Sequence, residues 1–184
     1  MQSNIPAIYD RDNPYVSLGR MVESTGRMRP DLIPMFLAIG KAESNFDTTA
    51  DTSKTIDPNK QNEWSKGVWQ VNWLAHQDKL SKIGFTPEDL KNPVKNLVAA
   101  LMVYEERVNG YLNSGVPLEE AQLRGFEPWS VYLKGRYKDF LPEAERRWKQ
   151  YKEQSNLPTW QQSSHMNPAA QRWLEQNRNG VWIG

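Results

Sequence analysis

The sequence predicts a mainly helical domain carrying, at most, one small β-hairpin. Three observations predict it. Val94, Leu97, Val98, Leu101, Met102, Glu105, Val108 and Leu112 follow three- and four-residue steps, the period of an amphipathic helix. The run Leu32-Ile33-Pro34-Met35-Phe36-Leu37-Ala38-Ile39 is apolar all round and reads as a buried central helix. No stretch outside residues 45–66 has a convincing strand pattern.

In chain order, residues 1–14 are polar, hold Pro6 and Pro14, and read as an extended arm. Leu18, Met21 and Val22 space a short amphipathic helix from Ser17 to about Arg27, ended near Gly26. Asp31 stands where an N-cap belongs, Pro34 is tolerable in the first turn, and the buried helix carries on to about Glu43. Residues 45–66 are dominated by Thr, Asp, Ser and Asn and form a long polar loop or a small hairpin. Loops of that length inside a compact domain are usually functional or mobile. A helix from about Val71 to Ile83 stops at Gly84, and Thr86, Pro87 and the acids after them supply the next helix start.

Asn92-Pro93 opens the long helix, which Gly110 and Gly115 weaken and end. A short helix over 117–124 follows, then an aromatic stretch, 126–141, broken by Pro128 and Gly135. Charged helical sequence runs from about Pro142 to Gln154. A break at 155–167 precedes a last short helix near Pro168–Gln176. The expected organisation is one domain over 1–154 and a C-terminal extension over 155–184, where Trp160, Trp173 and Trp182 lie.

Composition narrows the function classes. With 38% hydrophobic residues and eight Trp, seven Tyr and five Phe, the chain has the apolar surface to build a core. Lys and Arg number 23 against 22 Asp and Glu, which removes the electrostatic case for a nucleic-acid partner. The basic segment from Lys134 to Lys152 is interleaved with Asp139, Glu143 and Glu145 and reads as a solvated helical face. The absence of cysteine excludes disulfides and thiolate chemistry. His76 and His165 are far apart, so a zinc site would need carboxylates to complete it, and no metal or other cofactor is expected. The start, "MQSNIPAIYDRDNP", is not a secretory signal, and no run is long enough to insert in a membrane.

Two short stretches could carry chemistry. Glu43 follows a fully apolar turn and faces a polar loop. It is either an ordinary solvated carboxylate or a partly desolvated one whose raised pKa keeps it protonated and ready to donate. Ser44 and Asn45 end its helix. In "SKGVWQVN", Gly67 permits close backbone approach, Gln70 offers donor and acceptor, and Trp64, Trp69 and Trp73 bring flat apolar faces. That mix suits a saccharide groove, though any of these Trp residues could equally pack the core.

Taken in order, Glu43-Ser44, then Gly67-Val68-Trp69-Gln70-Val71, then Asn96-Leu97-Val98-Ala99-Ala100 on the long helix, the pattern resembles the soluble lytic transglycosylase (SLT) domain. The resemblance covers about residues 30–141 and implies a lysozyme-like fold. It implies that Glu43 is the single catalytic acid and that Ser44, Gln70 and Tyr132 contact or position the substrate, beside Trp69, whose flat face the aromatic mix itself offers to a sugar. It leaves Asn96 to start or brace the long helix. The Trp129-x-x-Tyr132 segment is similar to a variant found in phage-borne members, and Tyr132 is placed to hydrogen-bond Glu43. Where much of the family has Asn after this Tyr, the chain has Leu133. The Glu43-to-Gly67 spacing is also longer than usual, and the inserted loop holds Asp47, Asp51, Asp57 and Glu63 as possible second carboxylates.

The implied reaction is cleavage of the β-1,4 bond between N-acetylmuramic acid and N-acetylglucosamine in peptidoglycan, with a 1,6-anhydromuramyl product. Two alternatives stand beside it: a hydrolytic muramidase using a loop carboxylate to activate water, and a non-catalytic glycan-binding or virion module. The implied partners are peptidoglycan glycan strands and other virion proteins. The implied setting is a phage particle or endolysin acting on the bacterial wall.

Overall fold

The computed structural model describes residues 9–52 and 63–154. Helix α1 (Pro14–Thr25) begins three residues earlier than expected, because Pro14 lies in its first turn, where a missing N–H costs nothing. The arm, expected over 1–14, therefore ends before Pro14, and residues 1–8 lie outside the described residues. Gly26, left-handed at φ 61°, closes the helix by donating its N–H to the Glu23 carbonyl.

A 3₁₀ turn at Pro30–Leu32 leads into α2 (Ile33–Ser44), the buried central helix. Asp31 does not cap it: its carboxylate is held by the Arg29 guanidinium at 2.7 and 2.6 Å. Ile33, Phe36, Leu37, Ala38, Ile39 and Gly40 are buried, and α2 packs against α1 and against two later helices, α6 (Ser130–Leu133) and α7 (Leu141–Gln154). The helix ends on Asn45, left-handed at φ 57°, whose N–H returns to the Lys41 carbonyl at 2.9 Å.

A hairpin forms, but only its first strand lies within residues 45–66; its turn and second strand fall beyond them. β1 (Ser65–Lys66) pairs antiparallel with β2 (Val71–Asn72), Ser65 opposite Asn72 and Lys66 opposite Val71, and an isolated bridge joins Asp51 to Lys66. Its second strand takes two residues expected to open α3 (Trp73–Lys82). Asn72 caps that helix instead, its side-chain oxygen accepting from the Leu74 and Ala75 N–H groups.

Asp89 accepts from the N–H and hydroxyl of Thr86, fixing a 3₁₀ turn, Pro87–Lys91. Asn92 then caps α4 (Pro93–Asn113) by accepting from Val94 and Lys95. This helix runs through Gly110, which was expected to weaken it, and yields only near Gly115, left-handed at φ 81°. Helix α5 (Leu118–Arg124) packs on α4, and a 3₁₀ turn, Arg136–Asp139, links α6 to α7. On α7, Arg146 and Arg147 both pair with Glu143 on the exposed side, as mixed-sign spacing implied. The structure is a mainly helical fold with one small hairpin, as the sequence predicts. The expected break at 155–167, the helix near 168–176 and His165 lie outside the described residues.

Candidate active site

The core brings three distant segments together under the end of α2. Phe36 stacks on Trp69 with ring centres 4.6 Å apart and meets the edge of Trp129 at 5.8 Å. Each indole N–H finds a carbonyl: Trp69 donates to Phe36 at 2.9 Å, and Trp129 donates to Trp69 at 2.7 Å. Buried polar groups demand such partners.

The hairpin turn, residues 67–70, is held from several sides. Gly67 adopts φ +74°, and a Cβ there would lie 2.2 Å from the Leu90 carbonyl oxygen, so only glycine fits. Fully buried Asn96 donates to the Lys66 carbonyl at 2.9 Å and accepts from the Trp69 N–H at 3.0 Å. Ser44, the residue after Glu43, donates its hydroxyl to the Val68 carbonyl at 2.7 Å. Gln70 emerges from this turn half-buried with φ +45°, its side-chain amide donating to the Gly67 carbonyl at 2.9 Å. A left-handed non-glycine residue is uncommon and costs free energy that the surrounding bonds must offset.

Glu43 sits half-buried at the last turn of α2. Burial is the main cause that pushes its carboxyl pKa up from 4.5 to about 7, and the negative charge of Glu63 adds to the rise. The Val131 backbone N–H, which bonds to the carboxyl from the first turn of α6, and the charges of Arg136 and Lys134 pull the other way. Among the described residues Glu43 forms no salt bridge. Such a carboxyl is close to half protonated at neutral pH and can both give and take a proton.

The sequence-predicted residues fare differently. Ser44 reaches the turn that carries Gln70, and Glu43 precedes it at the last turn of α2. Trp69 has no exposed surface, so it is a core residue and not a sugar platform; Trp73 is buried as well, and Trp64 is half-buried. Tyr132 stacks on Tyr137 at 5.1 Å and lies against Phe126, and it makes no hydrogen bond to Glu43. The neighbouring backbone N–H of Val131 takes that place.

Among the loop acids, Asp51 is paired with Lys66 at 2.6 Å and Lys91 at 3.5 Å, and Asp47 accepts from the N–H and hydroxyl of Thr49. Asp57 lies outside the described residues, and Glu63 is exposed. Among the described residues no group of three or more His, Asp or Glu could hold a metal ion. Sequence reasoning missed Asn96 and Trp129 as clamps on the turn. The signal for Asn96 was there: one amide inside the otherwise apolar stripe of the long helix.

With this geometry in hand, the family model described as the transglycosylase SLT domain matches residues 21–156. The chain belongs to that family. No curated protein and no solved structure matches it. As an SLT domain it is a lytic transglycosylase unit with the lysozyme-like fold, acting on the glycan strands of peptidoglycan in the bacterial cell wall. Among the described residues no helix is long and apolar enough to cross a membrane.

Proposed function

We propose that this SLT domain cleaves the β-1,4 bond between N-acetylmuramic acid and N-acetylglucosamine, with Glu43 alone acting as acid and then base. The observation that carries the proposal is the state of Glu43: a carboxyl pushed by burial to about 7, with no salt bridge among the described residues. A carboxyl raised in this way is how glycosidases make a general acid.

The reaction runs in two proton transfers. Glu43 donates its proton to the glycosidic oxygen as the bond to the muramic C1 breaks, and the muramic 2-acetamido oxygen stabilises the cationic sugar. The carboxylate left behind takes the proton of the sugar's own 6-hydroxyl, whose oxygen closes on C1 to form the 1,6-anhydro ring. Glu43 is thereby reprotonated, and no water is consumed. Gln70, held at the turn by its neighbours, is the amide assigned to the sugar, and Ser44 positions that turn against the acid. Tyr132 contributes a stacked aromatic wall with Tyr137.

A second reading, hydrolysis by a muramidase, is supported by one residue. Glu63 is the loop carboxylate whose charge acts on Glu43, and it is the candidate to activate water. Mass spectrometry of fragments released from purified peptidoglycan separates the two: anhydro ends are lighter by one water than reducing ends. Glu43→Gln should lower release by about 10²–10⁴-fold. Unchanged release would remove the acid assignment, and reducing ends made by the wild type but lost in Glu63→Gln would establish the hydrolase. The Trp129-x-x-Tyr132 segment supports a phage-borne enzyme, brought to the wall by a particle or released at lysis, with virion proteins as further partners.

A further inference from the structure

Glu43 is not among the residues lining a cavity of about 670 Å³ formed by α3, the C-terminal half of α4 and the Pro128 corner. His76 stands on one wall, Arg107, Gly110 and Tyr111 on another. We propose that this cavity binds the carboxylate-bearing peptide stem of the wall polymer, with the Arg107 guanidinium taking a stem carboxylate. The proposal rests on the transglycosylase reading for its substrate.

The charges at the cavity leave one cation for a ligand. Glu106 is paired with Lys79, and the Tyr111 hydroxyl is bonded to Glu127 and Arg124. Glu127, which feels the charge of Arg107, is itself held by Tyr111 and by Arg124 at 3.1 Å. Among the described residues Arg107 forms neither a hydrogen bond nor a salt bridge. A guanidinium in that condition matches a carboxylate with two parallel N–H donors. His76 is held neutral by burial, which lowers its pKa, so its ring offers one donor and one acceptor to a peptide amide. A sugar ring would need an open aromatic face, and Arg124 lies 3.9 Å over the ring of Tyr111.

Gly110 supplies independent support. A Cβ built on Gly19, Gly67 or Gly125 would press within 2.2–2.5 Å of a neighbour, so packing explains those glycines. At Gly110 it would meet nothing within 4 Å. Glycine weakens a helix interior and here answers to no neighbour, so what it provides is open space in the cavity wall. The cavity also adjoins the acid along the chain: Pro128 precedes Val131, whose N–H bonds to Glu43, by three residues, which span at most roughly 11 Å. A stem carried on the muramic lactyl group starts beside the bond being cut and covers such a distance within a few residues.

The test is direct binding to the full chain carrying Glu43→Gln, so that nothing is turned over. Synthetic stem tetrapeptides, one with lysine and one with diaminopimelate at the third residue, are titrated by heteronuclear NMR. At least one should bind and shift the signals of His76, Arg107 and Gly110. Arg107→Ala and Gly110→Leu, added singly, should each weaken binding at least tenfold, and amidating the stem carboxylates should do the same. Gly110→Leu enters open space and improves helix propensity, and circular dichroism checks that both variants fold. Failure of both peptides to bind, or undiminished affinity in any of the three comparisons, overturns the proposal. Cleavage is read separately: if Glu43→Gln still releases wall fragments, the acid assignment fails while the stem site stands on its binding result.

Discussion

The Asn96 side chain accepts the Trp69 backbone N–H at 3.0 Å and donates to the Lys66 carbonyl at 2.9 Å, so one buried amide of α4 grips both sides of the hairpin turn. Trp129 holds the same residue from the opposite side, donating to the Trp69 carbonyl at 2.7 Å. Asn96→Leu keeps the volume but strands a buried N–H and a buried carbonyl, which should cost about 2–5 kcal/mol. Trp129→Phe strands one carbonyl and should cost about 1–3 kcal/mol. Because both clamps act on the Trp69 peptide groups, the double variant should lose less than the sum. Urea unfolding measures all three, and strict additivity would show that the clamps are independent.

The raised pKa of Glu43 has a consequence for stability. The folded chain holds this proton up to about pH 7, whereas the ordinary carboxyl releases it near 4.5. Stability is therefore fully present below about pH 4.5 and declines as pH rises through about 7, by about 3 kcal/mol at the limit. Glu43→Gln removes the titration. Its melting temperature should exceed that of the wild type by several degrees at pH 8, with the gap closing at pH 4. A gap independent of pH would contradict the assigned shift.

The same charges set the pH profile of cleavage. The acid must be protonated to start, so kcat/KM should fall as pH rises above about 7. Glu63 raises the Glu43 pKa and Arg136 lowers it. Glu63→Gln should therefore move the falling limb to lower pH, and Arg136→Ala should move it higher. Movement of both in one direction would mean that another group controls the limb.

How much of this was legible in the sequence depended on whether the cause was local. Periodicity and capping are local, so α2, α4 and the helix starts at Pro93 and Leu118 were readable from Phe36, Leu97, Asn92 and their neighbours. Asp31 misled because its carboxylate found Arg29 before it found the helix N–H groups. Trp69 misled because an aromatic beside a groove and one under it look alike in sequence; its burial comes from Phe36 and Trp129, 33 and 60 residues away. Glu43 was legible as an acid at the end of an apolar helix, but its contact with the Val131 N–H depends on α6, which no local pattern joins to α2.

Lys66 and Asp51 form the remaining testable pair. Their charged groups lie 2.6 Å apart, with 1% and 7% of their side chains exposed, and Lys66 also sits 4.8 Å over the Trp64 ring. Removing one member of a buried pair strands the other, at a cost of about 3–5 kcal/mol in fully enclosed cases. Here each retains a second contact, Lys66 with Glu88 at 3.3 Å and Asp51 with Lys91 at 3.5 Å. Asp51→Leu and Lys66→Met should thus each fall in the lower part of that range, with Asp51→Leu the costlier because Lys66 is the more enclosed. The double variant should recover most of the loss, since an apolar pair fills the same space without stranded charge. Urea unfolding gives the energies, and wall-fragment release from the double variant gives the chemistry. If the pair only braces the hairpin, release continues near the wild-type rate. Its abolition in a chain with restored stability would make Asp51 a second reacting carboxylate and overturn the single-acid mechanism.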